Sequence, residues 1–417
     1  MSEQSVQDRR AIEALRSGVP NRDAVQVLGS SQHEIEERFA EGLLVAKAAG
    51  NGGGLLVRGQ FGAGKSHLLE YLQHVALTEN FVASKIVISK ETPLHDPVKV
   101  FRTAAASAVV RGRRGAALSE IALSSLDFDS KEYADLATWV SSDEAALNER
   151  FDALLYLFRN LRGGDPEFAD RIIRFWSGDP ILVPELRRKL REAGEGATFA
   201  LSKVSPRDLA LQRFRFAARL MVAAGYSGWV LLFDEVELIS RYSLLQRAKS
   251  YAEVARWAEG FEEEQLPHIA SVLAITEDFA EAVIVEKNDF ETVGNRLRLK
   301  GDELGAARAE QGMRIIQRNR VDLTRPTVDV LDETYSKLKG IHGAAYGWAP
   351  PEIARPRGRT THSMREYVRA WINEWDLRRL DPDYKPEIEV DQVTIDYSED
   401  PEFETAPEGA ADAAVEE

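Results

Sequence analysis

A glycine-rich segment, GQFGAGKS, sets the strongest limit on how this chain can fold. It runs from Gly59 to Ser66 and matches G-x-x-x-x-G-K-[ST] at every fixed position. Glycines at these positions let the backbone turn so that several N–H groups converge on one anion. An apolar run precedes the loop and an amphipathic helix, from about Lys65 to Leu77, is expected after it. A strand, a glycine turn and a helix N-terminus together predict a nucleotide-binding site.

The predicted nucleotide-binding residues are the loop and the histidine that follows it. Lys65 is expected to reach the β- and γ-phosphates and to act in catalysis, and the Ser66 hydroxyl to ligate Mg²⁺. The alternative is a chance glycine-rich turn between a strand and a helix. The full predicted set is Gly59, Gln60, Phe61, Gly62, Ala63, Gly64, Lys65, Ser66 and His67.

A second motif, GWVLLFDEVE, spans Gly228 to Glu237. Its apolar residues predict a strand buried on both faces, with Asp234 and Glu235 at the carboxyl end, where ligands of open α/β sheets bind. Asp234 is predicted to hold Mg²⁺ and Glu235 to polarise an attacking water. A capped strand ending in two acids is the alternative. Because small-molecule kinases need no acid at this place, Glu235 favours ATP hydrolysis.

A third apolar strand, SVLAITE at 271–277, ends in a polar pair. In AAA+ ATPases the corresponding strand lies between those that carry the other two motifs, and its last polar residue contacts the γ-phosphate or the water. Thr276 is the candidate for this sensor and for a catalytic role. The alternative is a strand that simply stops at a polar turn.

Arginines supply further candidates. Arg296, and beside it Arg298, stand where AAA+ chains often place a finger that reaches a neighbouring subunit's nucleotide, so Arg296 is predicted to be catalytic. Arg365, in a helix starting near Thr361, is the candidate for a lid arginine. A guanidinium neutralises developing phosphate charge. Ordinary surface ion pairing is the alternative for each.

Alternating strands and helices predict an α/β fold with a parallel central sheet covered by helices. The glycine loop marks this fold as a P-loop NTPase, and the candidate sensor and finger residues resemble those of the AAA+-like type. We predict a strand at 85–88, a helix at 206–224, a strand at 229–233, a helix at 243–264 and a strand at 269–275. The predicted organisation is an N-terminal helical segment (1–50), an ATPase core (51–300) with a helical insertion at about 120–205, a C-terminal helical lid domain (301–382) and an acidic disordered tail (383–417).

Charge and composition limit the function less than they first suggest. The net charge is −15, but residues 386–417 hold twelve acidic and no basic residues, so the rest carries −15 + 12 = −3. The acidity therefore does not exclude DNA binding. Basic clusters at Arg111–Arg114 and Arg187–Lys189 could face nucleic acid or be solvated helix surfaces. No apolar segment suggests a signal peptide or a membrane span, and with no cysteine the chain is expected to be cytoplasmic.

Five segments of the chain together carry a family resemblance: AIEALRSGVPNRDAV, GQFGAGKSHLLEYLQHVAL, ISKETPLHDPVKVFR, LLFDEVELI and MREYVRAWINEWDLRRL. They resemble the ATP-binding proteins of bacterial BREX-type phage-defence systems, and among them the smaller, BrxD-like type that is usually paired with a helicase. The resemblance covers nearly the whole chain except the acidic tail.

The resemblance implies an AAA+-like ATPase, related to origin-recognition ATPases, that uses ATP and Mg²⁺ in antiviral defence. The implied partners are other defence components, above all a helicase, with possible DNA contact and a possible homo-oligomer. Residues 20–22 could lie beside the adenine, although an ordinary helix cap at Asn21 is preferred. A nucleotide-gated scaffold with little hydrolysis is the alternative function, and a phosphotransferase is a third.

Overall fold

The centre of the computed structural model is a five-stranded, fully parallel sheet. The model describes residues 3–18, 21–48, 50, 53–113, 117–161, 163–353, 363–383 and 396–403. The strand order is β2-β3-β4-β1-β5. The strands are β1 (Gly54–Gly59), β2 (Val82–Val87), β3 (Trp229–Asp234), β4 (Ile269–Thr276) and β5 (Val321–Asp322). The predicted α/β class with a parallel sheet is confirmed.

Helices surround this sheet. Those before β3 are α1 (Glu3–Ser17), α2 (Arg22–Leu28), α3 (His33–Lys47), α4 (Lys65–Thr78), α5 (Pro97–Ala106), α6 (Ala117–Glu120), α7 (Lys131–Val140), α8 (Glu149–Leu161), α9 (Pro166–Trp176), α10 (Val183–Glu192) and α11 (Pro206–Ala223). Those after it are α12 (Leu244–Ala258), α13 (Asp289–Arg298), α14 (Glu303–Arg318), α15 (Val328–Tyr346) and α16 (Met364–Leu380). Short π and 3₁₀ turns follow α6, β3 and β4.

Strand β3 shows how the sheet is covered on both sides. Every residue of β3 is buried, and successive side chains point to opposite faces. Val230 and Leu232 pack with α3 and α4. Leu231 and Phe233 pack with α11, α12 and the helices of the 117–201 region. The apolar run therefore reads as continuous in sequence because both of its faces are covered.

A separate hydrophobic cluster joins the two ends of the chain. Ile12 and Leu15 of α1 pack with Leu338 of α15 and with Trp371 and Trp375 of α16. By contrast, α14 packs against α12 and α13, and β5 extends the sheet beside β1. The division into domains stays a prediction, but packing groups α1 and α2 with the C-terminal helices and groups α14 with the sheet.

Most predicted elements are present with small shifts. Strand β2 begins at Val82, not at Lys85, because the polar Ser84 is buried and bonds to Ala104 O and Trp229 Nε1. Helix α12 ends at Ala258 and not at the predicted residue 264, because Gly260, with φ +77°, turns the chain just after it. The two-residue strand β5 was missed because so short a segment carries no periodicity. Between residues 120 and 205 the described chain is helical, without strands.

Part of the predicted acidic tail can be described. Residues 396–403 lie against the region that follows β3 and β4. Residues 384–395 and 404–417 lie outside the described residues, so disorder there stays a prediction. In the described ranges, no helix combines the length and apolar character needed to cross a bilayer.

Helices α12 and α14 approach closely at Gly312, and this contact gives a test of the packing. A Cβ added at Gly312 would lie 1.9 Å from the backbone oxygen of Tyr251. Gly312→Ala should therefore lower the free energy of unfolding by about 3 kcal/mol, a typical cost of overpacking. The matched control is Gly340→Ala at an exposed position of α15, where no atom beyond the local helix backbone lies within 4 Å of the added Cβ.

Because alanine favours helix more than glycine, Gly340→Ala should stabilise the protein by roughly 0.5–1 kcal/mol. Urea unfolding followed by circular dichroism measures both changes. If the two variants unfold at the same urea concentration, the close approach of α12 and α14 is wrong.

Candidate functional site

The glycine loop connects β1 to α4 through two residues in the left-handed region. Gly62 has φ +77° and Gly64 has φ +102°. Gly64 is also the N-cap of α4, and it offers no capping side chain. The first amide groups of α4 are therefore left for another acceptor. At Gly62 there is also no room for a side chain, since an added Cβ would lie 2.8 Å from Ser363 Oγ.

Lys65 is buried under this loop, with 8% of its surface exposed. Its Nζ donates to the carbonyl oxygens of Gly59 at 3.2 Å and Gln60 at 3.4 Å. A carboxylate oxygen of Glu237 lies 3.9 Å from the same Nζ. Burial lowers the pKa of Lys65, and the neighbouring acids oppose that shift. The ammonium group is thus held at the loop by neutral carbonyls and one weak ion pair.

Asp234 and Glu235 stand at the end of β3, as predicted. Asp234 is buried, and its Oδ2 lies 3.5 Å from Lys85 Nζ. Glu235 is exposed and adopts the left-handed conformation, with φ +58°. Partial burial and the charge of Asp234 raise the pKa of Glu235. A non-glycine residue in this conformation is uncommon and is often found at functional sites.

Glu237 is a site residue that the sequence analysis did not single out. It is 7% exposed, and its Oε2 has no hydrogen-bond partner in the described part of the chain. Burial raises its pKa to about 7. Glu237 lies in a 3₁₀ turn, Val236–Arg241, that follows β3 directly. So short a turn has no sequence periodicity, so the sequence did not predict where the Glu237 side chain points.

Strand β4 places Thr276 beside the glycine loop. Thr276 is paired in register with Gly59, and the next amide, Glu277 N, donates to Gly59 O at 3.1 Å. The Thr276 side chain is fully buried. Its hydroxyl lies 2.8 Å from the hydroxyl of Tyr397, in the acidic tail. The prediction that this strand lies between β1 and β3 is confirmed.

Helix α16 brings Arg365 to the glycine loop. The helix begins with a capping box, in which Ser363 and Glu366 each accept a backbone N–H from the other. Arg365 N donates to Gly62 O at 3.4 Å, and its guanidinium lies 5.5 Å from the centre of the Phe61 ring. The first turn of α16 therefore rests on the loop.

A cavity of about 150 Å³ opens beside the loop. Its walls come from the glycine loop, from the ends of α1 and α2, and from α15 and α16. Residues that the sequence analysis missed form much of its lining: Leu15, Leu28, Gly29, Ser30, Ser31, Gln32, Leu323, Thr324, Val330, Met364 and Val368. These residues share no motif, since helices distant in sequence bring them together.

Two predicted residues near this cavity have structural partners. His67 Nε2 lies 2.8 Å from Gly29 O, and burial lowers the pKa of His67. Asn21 caps α2, with its side chain accepting Ala24 N at 2.9 Å, so the preferred reading as an ordinary cap is confirmed. Pro20 lies outside the described residues.

The two finger candidates on α13 differ in their surroundings. Both Arg296 and Arg298 are exposed. Arg298 pairs with Glu310 at 2.6 Å and with Glu303 at 3.4 Å. Arg296 makes no ion pair with the part of the chain that the structure describes. The finger role of Arg296 stays a prediction.

The basic clusters are largely engaged in local ion pairs. Arg113 pairs with Glu120, and Lys189 pairs with Asp165 at 2.7 Å. Arg188 lies 3.8 Å from Glu192. Arg114 lies outside the described residues. This pairing favours solvated helix surfaces over a nucleic-acid surface.

Comparison with known proteins shows the family of this chain. The chain belongs to the class of α/β proteins built on a parallel five-stranded sheet. More specifically, a family model described as BREX system ATP-binding protein BrxC/D matches residues 4–390. Because this match spans nearly the whole chain, the protein belongs to that family. Searches of curated proteins and of solved structures returned no significant match.

The buried carboxyl of Glu237 predicts a dependence of stability on pH. Its pKa is about 7 in the folded state against an ordinary value of 4.5. The folded state therefore binds more protons, so stability falls as pH rises from about 4.5 to 7 and then levels off. Glu237→Gln removes this effect. The difference in free energy of unfolding between Glu237→Gln and wild type should be about 3 kcal/mol larger, in favour of the variant, at pH 8 than at pH 4.5. This figure follows from the linkage of 1.36 kcal/mol per pKa unit.

Urea unfolding at the two pH values, without nucleotide or metal, measures the difference. Glu281→Gln changes an exposed carboxylate and is the matched control, expected to follow wild type. If Glu237→Gln changes the free energy of unfolding by the same amount at both pH values, Glu237 does not bind a proton on folding as proposed.

Proposed function

We propose that this protein is a magnesium-dependent ATPase of the P-loop, AAA+-like type, which couples ATP binding and hydrolysis to the remodelling of a DNA-associated complex in BREX phage defence. ATP binding is the property of its family. Hydrolysis and the AAA+ class go beyond the family description and rest on the geometry of the site. The remodelling role rests on the resemblance to defence ATPases.

The observation that carries the proposal is the meeting of three strand ends at one edge of the sheet. Because β4 lies between β1 and β3, Lys65, Asp234 and Thr276 all come from neighbouring carboxyl ends. Ligands of parallel α/β sheets bind at such an edge. In the order β2-β3-β4-β1-β5, strand β4 with Thr276 lies between β3, which ends in the acids, and β1, which leads into the glycine loop. This is the arrangement expected of AAA+ ATPases.

The loop and Lys65 would hold the triphosphate. The uncapped amides of α4 and the helix dipole favour an anion at Gly64. Lys65 would exchange its bonds to Gly59 O and Gln60 O for the β- and γ-phosphate oxygens. The apolar lining beside Leu15, Leu28 and Val368 suits an adenine ring.

The residues also fit a magnesium ion. Mg²⁺ prefers oxygen ligands, and it commonly takes one or two from the protein and the rest from phosphate and water. Ser66 and Asp234 supply such oxygens, and the buried Glu237 Oε2, which lacks a partner among the described residues, adds unbalanced acceptor capacity nearby. When bound, the ion would neutralise charge that develops between the β- and γ-phosphates.

Glu235 would orient and deprotonate the attacking water, and Thr276 would position that water or the γ-phosphate. The raised pKa of Glu235 brings it nearer to the range that suits a general base. Arg365, which rests on the loop, would sense the γ-phosphate. Arg296 is exposed and would reach the nucleotide of a neighbouring copy.

A nucleotide-gated scaffold is the second candidate, and the cavity gives it specific support. The cavity is lined by α1, the α2–α3 connection, the glycine loop, α15 and α16. A nucleotide there would contact all of these elements and tie both chain ends to the sheet. In this case ATP would order a surface for another BREX component, such as a helicase, with little turnover.

Hydrolysis is tested by phosphate release from ATP with purified protein, Mg²⁺, and single- or double-stranded DNA. Lys65→Ala should abolish ATP binding and turnover, because the ammonium contacts the phosphates. Glu235→Gln should keep ATP binding but lower turnover by about 10²–10⁴-fold, the usual contribution of a general base. Lys47→Ala, at an exposed lysine, is the matched control.

Binding is followed separately with a fluorescent ATP analogue. Tight binding without hydrolysis under all conditions would replace the ATPase by the scaffold. Normal turnover in Glu235→Gln, with loss in Glu237→Gln, would transfer the role of base to Glu237.

Arginine exchange between copies gives a second test of the ATPase. Arg296→Ala should lower turnover at least about tenfold, since a finger arginine contributes far more than that. Arg298→Ala is the matched control on the same helix, and should lower the melting temperature slightly by breaking its pairs with Glu303 and Glu310. Wild-type turnover per molecule should rise with protein concentration. Turnover that is independent of both concentration and Arg296 would exclude a finger at this position.

A further inference from the structure

Residues 396–403 form a short acidic and aromatic segment, DYSEDPEF, that lies across the ends of β3 and β4. We call it the C-terminal strap. It contacts one residue of the candidate site, Thr276. Its other contacts are hydrogen bonds, ion pairs and aromatic contacts with residues that follow β2, β3 and β4.

The hydroxyl of Tyr397 connects the strap to the candidate sensor. It lies 2.6 Å from Asp278 Oδ1 and 2.8 Å from Thr276 Oγ1. Tyr397 has a single hydroxyl proton, and an ionised carboxylate only accepts. Tyr397 must therefore donate to Asp278 and accept from Thr276. The proton that Thr276 needs in order to donate to a phosphate oxygen or a water is already used.

Basic residues form the groove that receives the strap. Lys287 Nζ donates to Tyr397 O at 2.6 Å. Arg247 pairs with Glu399 at 2.5 Å, and Arg241 pairs with Asp400 at 2.7 Å. Lys90 lies 3.5 Å from Glu402. The charges are complementary along the whole described segment.

Aromatic side chains anchor both ends of the strap. Tyr397 contacts the ring of Phe279, with ring centres 6.3 Å apart, and Phe403 contacts the ring of Tyr242 at 5.8 Å. The Arg241 guanidinium also lies 5.3 Å from the centre of the Phe403 ring. Asp400 N also donates to Arg241 O at 3.0 Å, and this backbone bond fixes the orientation of the strap. The segment is therefore bound as a peptide ligand is bound.

We propose that the C-terminal strap is an intramolecular inhibitor: it occupies a peptide-binding groove next to the nucleotide site and withholds the Thr276 hydroxyl from ATP until the strap is released. The inhibition rests on the proposed ATPase function, whereas the docking does not. Its ion pairs lie partly at the surface, where each is weak, so the strap can leave without unfolding the core. The groove is fitted to an acidic peptide with an aromatic residue at each end.

The experiment uses full-length chains with substitutions in the strap. Tyr397→Phe removes the oxygen that accepts from Thr276 and should raise ATP turnover about fivefold, the factor that corresponds to one hydrogen bond. Glu399→Lys combined with Asp400→Lys should detach the strap and raise turnover at least as much. Ser398→Ala, at an exposed strap residue, is the matched control and should not change turnover. Unchanged or reduced turnover in the first two variants would overturn the inhibition.

Docking is judged separately, by fluorescence anisotropy of a labelled peptide with the sequence of residues 396–403. The peptide should bind the Glu399→Lys, Asp400→Lys protein at least about tenfold more tightly than it binds wild type, whose groove is occupied. Equal binding to both proteins, or none to either, would overturn the docking even if no form of the protein hydrolyses ATP. Binding to wild type that strengthens on dilution of the protein would show that the strap docks on a second copy, which would overturn its intramolecular action.

Discussion

The pairing of β4 between β1 and β3 is the constraint on which the rest of the site depends. Gly59 stands in register with Thr276, and Phe233 with Leu273, so the ends of three strands reach the same edge of the sheet. The bond from Glu277 N to Gly59 O fixes the start of the glycine loop to the end of β4. Since β3 and β4 are buried on both faces, a shift in register would move every side chain into the wrong layer.

The charged groups at this edge surround Lys65, which contacts the carbonyl oxygens of the loop and lies near the carboxylate of Glu237. Lys65 lies on the carbonyls of Gly59 and Gln60 and near Glu237, whose pKa burial raises to about 7. In the proposed ATP complex, a triphosphate and Glu237 would compete for the same ammonium group. Strongly perturbed pKa values such as that of Glu237 are common at functional sites.

Sequence reasoning worked best where one local pattern decides the structure. The buried run before Asp234 and the glycines before Lys65 specified strands, a turn and a helix start that the structure contains. It failed where distant segments meet. The cavity lining beside Leu28 and Val330 depends on packing between the chain ends, and the position of Tyr397 on Thr276 depends on the tail. Neither contact produces a periodic pattern in the sequence. The acidic composition of the tail predicted disorder, so the contacts of its aromatic residues, Tyr397 and Phe403, were not expected.

The cluster that joins α1 to α15 and α16 has a consequence for synthesis of the protein. On the ribosome, Ile12 and Leu15 emerge more than three hundred residues before their packing partners, Leu338 and Trp371. Such long-range contacts form late. The apolar face of α1 therefore stays without its packing partners until α15 and α16 have left the ribosome. A chain that stops before α15 and α16 lacks one wall of the cavity beside the glycine loop.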